Sequence, residues 1–288
     1  MRNRAALLVA ACLVALGGCT SDEPVSSAPG DGDRFTVVTD LYPTTFAVEQ
    51  VVGDDVDVIQ LAPAGVEPHD YELTPAQVAQ VADADLVFHL PGMVPAVQAA
   101  IDQVAPDRGV DVAADVTRLT QDGSADPHVW LDPRNVASMA GTAADALEGA
   151  GITANAADVT ERMTALDQDA RAALTDCAIT PMVVSHEAFG YLANAYGFEQ
   201  VGISGLSPDA EPSPKRLAEI AQLVRDSGVT TIYFEELASP KAAQTIAAET
   251  GANTALLDPI EGNTDDAGYE QIMRTNIETL RTGQGCAA

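Results

Sequence analysis

From Phe35 onward, strand-like and helix-like segments alternate in two separate runs, and that alternation restricts the chain to one class of fold. In the first run, Phe35 to Thr39, Val56 to Leu61, Leu86 to Leu90 and Gly109 to Ala113 read as strands. Helices are expected between them at Thr45 to Val52, after Thr74-Pro75 (a cap followed by proline at the first helical position) and at Val94 to Val104. The second run has strands at Pro181 to Val184, Thr230 to Phe234 and Thr254 to Leu257. Its helices are expected at His186 to Tyr196, after Ser213-Pro214, after Ser239-Pro240 and from Gly268 to Arg281. Strands separated by helices imply parallel sheets covered by helices on both faces.

The stretch between the runs has no strand pattern. Asp132-Pro133 starts a helix that Gly149-Ala150-Gly151 ends. From Ala154 to Leu174 there is neither glycine nor proline, and Val159, Met163, Leu166, Ala170 and Leu174 form one apolar stripe. The expected fold is therefore α/β, two parallel-sheet lobes joined by a long rigid helix. The boundaries are an amino-terminal lobe over 34–152, a connecting helix over 153–176 and a carboxyl-terminal lobe over 177–288. A chain of 288 residues, 47% of them hydrophobic, can give each lobe a core.

The first 33 residues read differently. Met1-Arg2-Asn3-Arg4 is basic, and Ala5 to Leu16 is apolar but too short to span a bilayer. Leu16-Gly17-Gly18-Cys19 follows, small residues before a cysteine as at a lipoprotein cleavage site. Residues 1–18 are read as a signal peptide, Cys19 as the lipidated residue and 19–33 as a flexible polar tether. This places the body outside the cytoplasmic membrane, lipid-anchored to its outer face. An ordinary secretory signal is the alternative. The formal net charge of -29 excludes nucleic acid and anionic headgroups as natural partners. Cys177 and Cys286 remain as an even pair in an exported chain and are read as a disulfide, with two independent thiols as the alternative.

Only four histidines occur. Three stand in Glu67-Pro68-His69-Asp70-Tyr71, Asp126-Pro127-His128-Val129-Trp130 and Ser185-His186-Glu187. Leu257-Asp258-Pro259 offers a carboxylate. His69, His186 and Asp258 follow expected strands, and ligands of open α/β sheets collect at the carboxyl ends of strands. Meeting in a cleft between lobes, His69, His128, His186 and Asp258 would form a His3Asp metal site suited to zinc. His89 lies inside a buried strand pattern and is read as structural. Glu235, at another strand end, is a candidate to orient a ligand imidazole through its second ring nitrogen.

These motifs resemble those of the cluster A-I solute-binding lipoproteins of ABC metal importers, in their zinc-uptake (ZnuA/TroA-like) branch. The resemblance runs from Phe35 to the carboxyl terminus. It rests on Pro68-His69-Asp70-Tyr71-Glu72, Asp126 to Pro133, Ser185 to Tyr191, Glu211-Pro212-Ser213-Pro214, Glu235 ahead of Ser239-Pro240-Lys241, and Asp258-Pro259. It implies two lobes bridged by a rigid helix and metal ligands at His69, His128, His186 and Asp258. Histidine at position 186 implies Zn2+ over Mn2+ as the transported ion. It also implies an ABC permease as partner, a monomer and no enzymatic activity. One departure is the short span Gln121 to Ala125, which holds no histidine-rich loop. The competing readings are a manganese member of the same family, an exported zinc hydrolase and a surface adhesin. The hydrolase lacks His-Glu-x-x-His, because position 190 is glycine.

Overall fold

Parallel strands buried on both faces explain the apolar runs. In the computed structural model, which describes residues 34–121, 123–208, 211–262 and 268–287, Val37 and Val38 are adjacent in one strand and both fully buried. The signal peptide, Cys19 and the tether lie outside the described residues. Arg34–Ala288 forms one unit.

The first run gives β1 (Phe35–Thr39), α1 (Tyr42–Glu49), β2 (Val56–Gln60), α2 (Pro75–Asp83), β3 (Leu86–His89), α3 (Pro95–Val104) and β4 (Gly109–Asp111). The strands form a parallel sheet of order β2-β1-β3-β4, with Val37 opposite Val58 on one side and Leu86 on the other. A short antiparallel hairpin follows, β5 (Thr120–Gln121) and β6 (Ser124–Ala125), and then a 3-10 turn over Val129–Leu131. Two helices come next, α4 (Pro133–Gly149) and α5 (Ala157–Ala173). The second run gives β7 (Pro181–Val184), α6 (Gly190–Tyr196), β8 (Glu199–Gly202), α7 (Pro214–Ser227), β9 (Thr231–Phe234), α8 (Lys241–Thr250), β10 (Asn253–Leu256) and α9 (Tyr269–Gly283). Its parallel sheet has the order β10-β9-β7-β8. Counted within each run, the order is the same: the first strand lies between the second and third, and the fourth is outermost beyond the third.

Local chemistry sets several helix starts. Thr74 Oγ1 accepts from the Gln77 backbone N–H at 3.3 Å while Gln77 Oε1 accepts from the Thr74 N–H at 3.0 Å, a reciprocal cap. Asp132 caps α4 and Ser213 caps α7 through their side chains. The expected helix from His186 begins only at Gly190, because the Glu187 N–H is taken by the carbonyl of Gly205 at 2.9 Å. Ser239 does not cap α8, which starts at Lys241 after Pro240.

The middle of the chain is a pair of helices. α4 and α5 pack along each other, and α1 and α9 join them from either side. The expected stripe on α5 is buried at Val159, Met163, Leu166 and Ala170. One hydrophobic cluster runs from the first sheet through both helices to Met182, Val184 and Tyr233 of the second sheet and to Leu257 just beyond it. Val183, one residue from each of two members, turns to a separate cluster with Ile220, Val224 and Ile246. Phe46 of α1 stacks on Tyr269 of α9 at 5.1 Å between ring centroids.

Cys177 and Cys286 form a disulfide, as expected. The backbone on either side is paired too: Ala178 and Ile179 donate to the carbonyls of Gly285 and Gln284. Gln284 is fully buried and donates to the carbonyls of Ile179 and Pro181. Among the described residues no helix is long and apolar enough to cross a membrane.

Candidate metal centre

Each sheet has a point where its strand order reverses, between β1 and β3 in the first and between β7 and β9 in the second. Such points leave a crevice outside the carboxyl ends of the strands. At the first, Asp40 follows β1 and is consumed structurally: its carboxylate accepts the N–H of Leu41 at 2.8 Å and of Leu90 at 2.7 Å. Burial pushes its pKa up to about 7. At the second, His186 follows β7 and Glu235 follows β9, so that register sets them side by side.

The structure draws four side chains together: His69, His128, His186 and Glu261. His128 and His186 are fully buried, and Glu261 is 2% exposed. His69 Nε2 lies 3.2 Å from His128 Nε2. Glu261 Oε1 lies 3.2 Å from His128 Nε2, 3.4 Å from His186 Nε2 and 3.8 Å from His69 Nε2. Zinc–nitrogen and zinc–oxygen bonds of about 2.0–2.1 Å place the corners of a tetrahedron about 3.3–3.4 Å apart. Three of these four separations lie close to that edge length, and all four donor atoms fall within 4.8 Å of one another. Both Glu261 oxygens and His186 Nε2 are buried and lack a hydrogen-bond partner, as donors reserved for a cation would.

Asp258, expected from the sequence as the fourth ligand, is not in this group. Its Oδ1 accepts the N–H of Ile260 at 2.7 Å. Its own N–H and carbonyl are both paired with the side chain of Asn276. The local bond folds the chain back on itself, with Ile260 at a positive φ of 58°, and delivers Glu261 to the imidazoles. Asp258 therefore builds the turn and Glu261 fills the corner. An Asp-Pro pair is a turn former as readily as a ligand, and that was the available signal for looking three residues further on.

Two imidazoles are oriented from behind. Asp126 Oδ1 accepts from the His128 backbone N–H at 2.9 Å and lies 2.8 Å from its Nδ1. Glu235 Oε2 lies 2.7 Å from His186 Nδ1, and its Oε1 accepts from Ser185 Oγ at 2.5 Å. Glu235 thus lies directly behind the His186 imidazole. Asp126 was missed because it reads in sequence as a loop residue before proline. Its carboxylate needs Gly190, where a Cβ would stand 2.6 Å from Oδ2. His89 is buried at the end of β3, outside the group, and desolvation lowers its pKa.

Burial alone would lower the pKa of His186, but Glu235 and Glu261 outweigh it and push the value up to about 10. His128 moves in the same direction: burial opposes, and Asp126 and Glu261 prevail. Burial would raise the Glu261 carboxyl, but the neighbouring His128 and His186 imidazoles prevail and hold it well below the usual carboxylate range. The raised imidazoles and the lowered carboxyl mean that protons compete with any cation for these atoms.

Residues 37–283 match the family model described as zinc-uptake complex component A, periplasmic. The chain is 33% identical to the high-affinity zinc uptake system protein ZnuA of Bacillus subtilis, over 95% of each. It is also 33% identical to the zinc-binding lipoprotein AdcA of Streptococcus pneumoniae, over 98% of this chain and 61% of that longer protein. The crystal structure of Zn(II)-bound AdcA from Streptococcus pneumoniae superposes with a TM-score of 0.75 at 33% identity, covering 87% of this chain and 58% of that one. The two-lobed architecture, the repeated sheet order and these matches agree: the chain belongs to the zinc-uptake component A family of solute-binding proteins.

Proposed function

We propose that this protein captures Zn2+ outside the cytoplasmic membrane and delivers it to an ABC permease, with His69, His128, His186 and Glu261 as the four ligands. The observation that carries the reading is the close grouping of four donor side chains, three of them buried and three of them imidazole, at separations near those of a zinc tetrahedron. Four protein ligands complete the tetrahedron and leave no coordination position for a reacting water, which favours carriage over hydrolysis. Three nitrogen donors suit zinc better than manganese, which prefers six oxygen-rich positions.

The working division is a first lobe over 34–152, a connector over 153–176 and a second lobe over 177–288, with the centre at the seam. His69 and His128 belong to the first lobe, His186 and Glu261 to the second. The shared hydrophobic core supports release by movement of ligand loops on a rigid frame, triggered when the permease is docked. A lipid on Cys19 would hold a monomeric body at the membrane surface. The basic start, apolar run and small-small-Cys order support this, as does the lipoprotein named among the relatives.

The test is calorimetric and thermal. Chelator-stripped protein titrated with Zn2+ should show one site and a large rise in melting temperature, and Mn2+ a much smaller one. Glu261→Ala and His69→Ala should abolish most of that rise. Zinc binding that survives both substitutions would overturn the ligand set. Labelling with radioactive palmitate, lost in Cys19→Ala, tests the anchor.

A further inference from the structure

A cavity of about 490 Å³ is lined in part by Glu67 and Ser185, which stand two residues before His69 and one before His186. Leu237 and Ala238 form part of the opposite wall. Leu237 also lines a much smaller cavity, of about 10 Å³, that touches Glu261. The vestibule therefore borders segments that carry two of the four donors and shares a wall residue with the third.

Glu67 is the unusual member of that lining. Its Oε1 accepts the backbone N–H of His69 at 3.2 Å, which fixes the carboxylate beside a ligand-bearing loop. Its Oε2 is buried and has no hydrogen-bond partner. Burial pushes its pKa up to about 7, and the charges of Glu261, His186 and Glu235 act on it as well, so the group stands within electrostatic reach of the centre without belonging to the four. A structural role for Glu67 needs Oε1 alone. A bare carboxylate oxygen in a desolvated position costs free energy unless a donor or a cation meets it.

We propose that Glu67 is the first protein group an incoming hydrated divalent cation meets. Its carboxylate holds the ion in the vestibule while water is exchanged for the three imidazoles and Glu261. This rests on the zinc-capture reading above and adds a kinetic step to it. Glu67 governs how fast the centre fills, whereas the four resident ligands govern how tightly the ion stays.

The experiment is rapid mixing of Zn2+ with chelator-stripped full chain, followed through a competing fluorescent zinc indicator. Glu67→Gln keeps the acceptor for the His69 N–H and removes only the charge. It should slow association by roughly tenfold or more, in line with the loss of a local steering charge, and change dissociation less than about twofold. Ala238→Trp, which narrows the vestibule, should slow association and dissociation together and leave Kd unchanged. Melting of the metal-free variants at the wild-type temperature would confirm that both fold. Wild-type association in Glu67→Gln would overturn the proposal, and so would an effect confined to dissociation, which would make Glu67 a resident ligand. A wild-type chain that takes up no zinc would overturn the capture reading itself, a result separable from either.

Discussion

The indole nitrogen of Trp130 donates to the carbonyl oxygen of Pro259 at 2.7 Å. Trp130 stands two residues after His128 and Pro259 two before Glu261, so one buried hydrogen bond ties together the loops that bring one ligand from each run of the chain. Tyr269 closes the same knot by donating its hydroxyl to the Trp130 carbonyl at 2.6 Å. Trp130→Phe keeps most of the bulk and removes the N–H. Leaving a buried carbonyl unpaired costs about 1–3 kcal/mol. The variant should melt at lower temperature, and it should lose zinc affinity as well because the two ligands are no longer held in register. Paired thermal melts and zinc titrations check this. Lowered stability with unchanged affinity would show that the knot serves only the fold.

Asp126 should matter to metal although it is not placed to touch it. Its carboxylate fixes the His128 ring with Nδ1 as donor and leaves Nε2 free for the cation. Asp126→Asn preserves shape and removes the charge. Zinc affinity should fall by roughly 10–100-fold with the fold intact. Gly190→Ala should reproduce part of that loss, since the added methyl intrudes on the same carboxylate. Competition with a chelator of known affinity measures both.

Protons and zinc compete for the same nitrogens. His186 has its folded pKa raised to about 10, so its contribution to the metal-free fold is fully present below about 6.5 and is lost as pH rises through about 10. Zinc requires the neutral imidazole, so its stabilising effect has the opposite slope. The rise in melting temperature on adding zinc should be larger at pH 8 than at pH 6, and binding should release protons. Calorimetry in buffers of different ionisation enthalpy counts those protons. A zinc-induced rise independent of pH would contradict this competition.

The Cys177–Cys286 bridge spans a separation of 109 residues. The chain-entropy model gives such a closure about 4–5 kcal/mol. Cys286→Ser should therefore lower the melting temperature markedly. Zinc affinity should change little, because Cys177 precedes β7 and His186 follows it, placing bridge and centre beyond opposite ends of that strand. Reduced and oxidised protein compared in the same titration test both halves of this expectation.

Much of the fold was legible because parallel strands buried on both faces leave dense apolar runs, as in Leu86 to His89 and Pro181 to Val184. β8 was not legible: Glu199–Gly202 holds one valine and ends in glycine, and it exists because β7 offers it a partner in register. The hairpin of β5 and β6 is too short to carry a period. At the centre, three histidines stood out through scarcity and the stiff residues around them. Glu261 did not, because it stands in an acid-rich stretch where one carboxylate looks like the next. Only the turn made by Asp258 and the positive φ of Ile260 distinguish it, and those arise from backbone geometry beyond the reach of residue spacing.

The hydrophobic cluster that passes without a break from one sheet through α4 and α5 into the other has a calorimetric consequence. The lobes share too much interior to melt one after the other, so heat should dissolve them in a single cooperative transition, loaded or empty. On the proposed reading, the same unity would act as leverage in transport: a permease could empty the centre by loosening a short loop at its rim, with the frame left folded for the next ion.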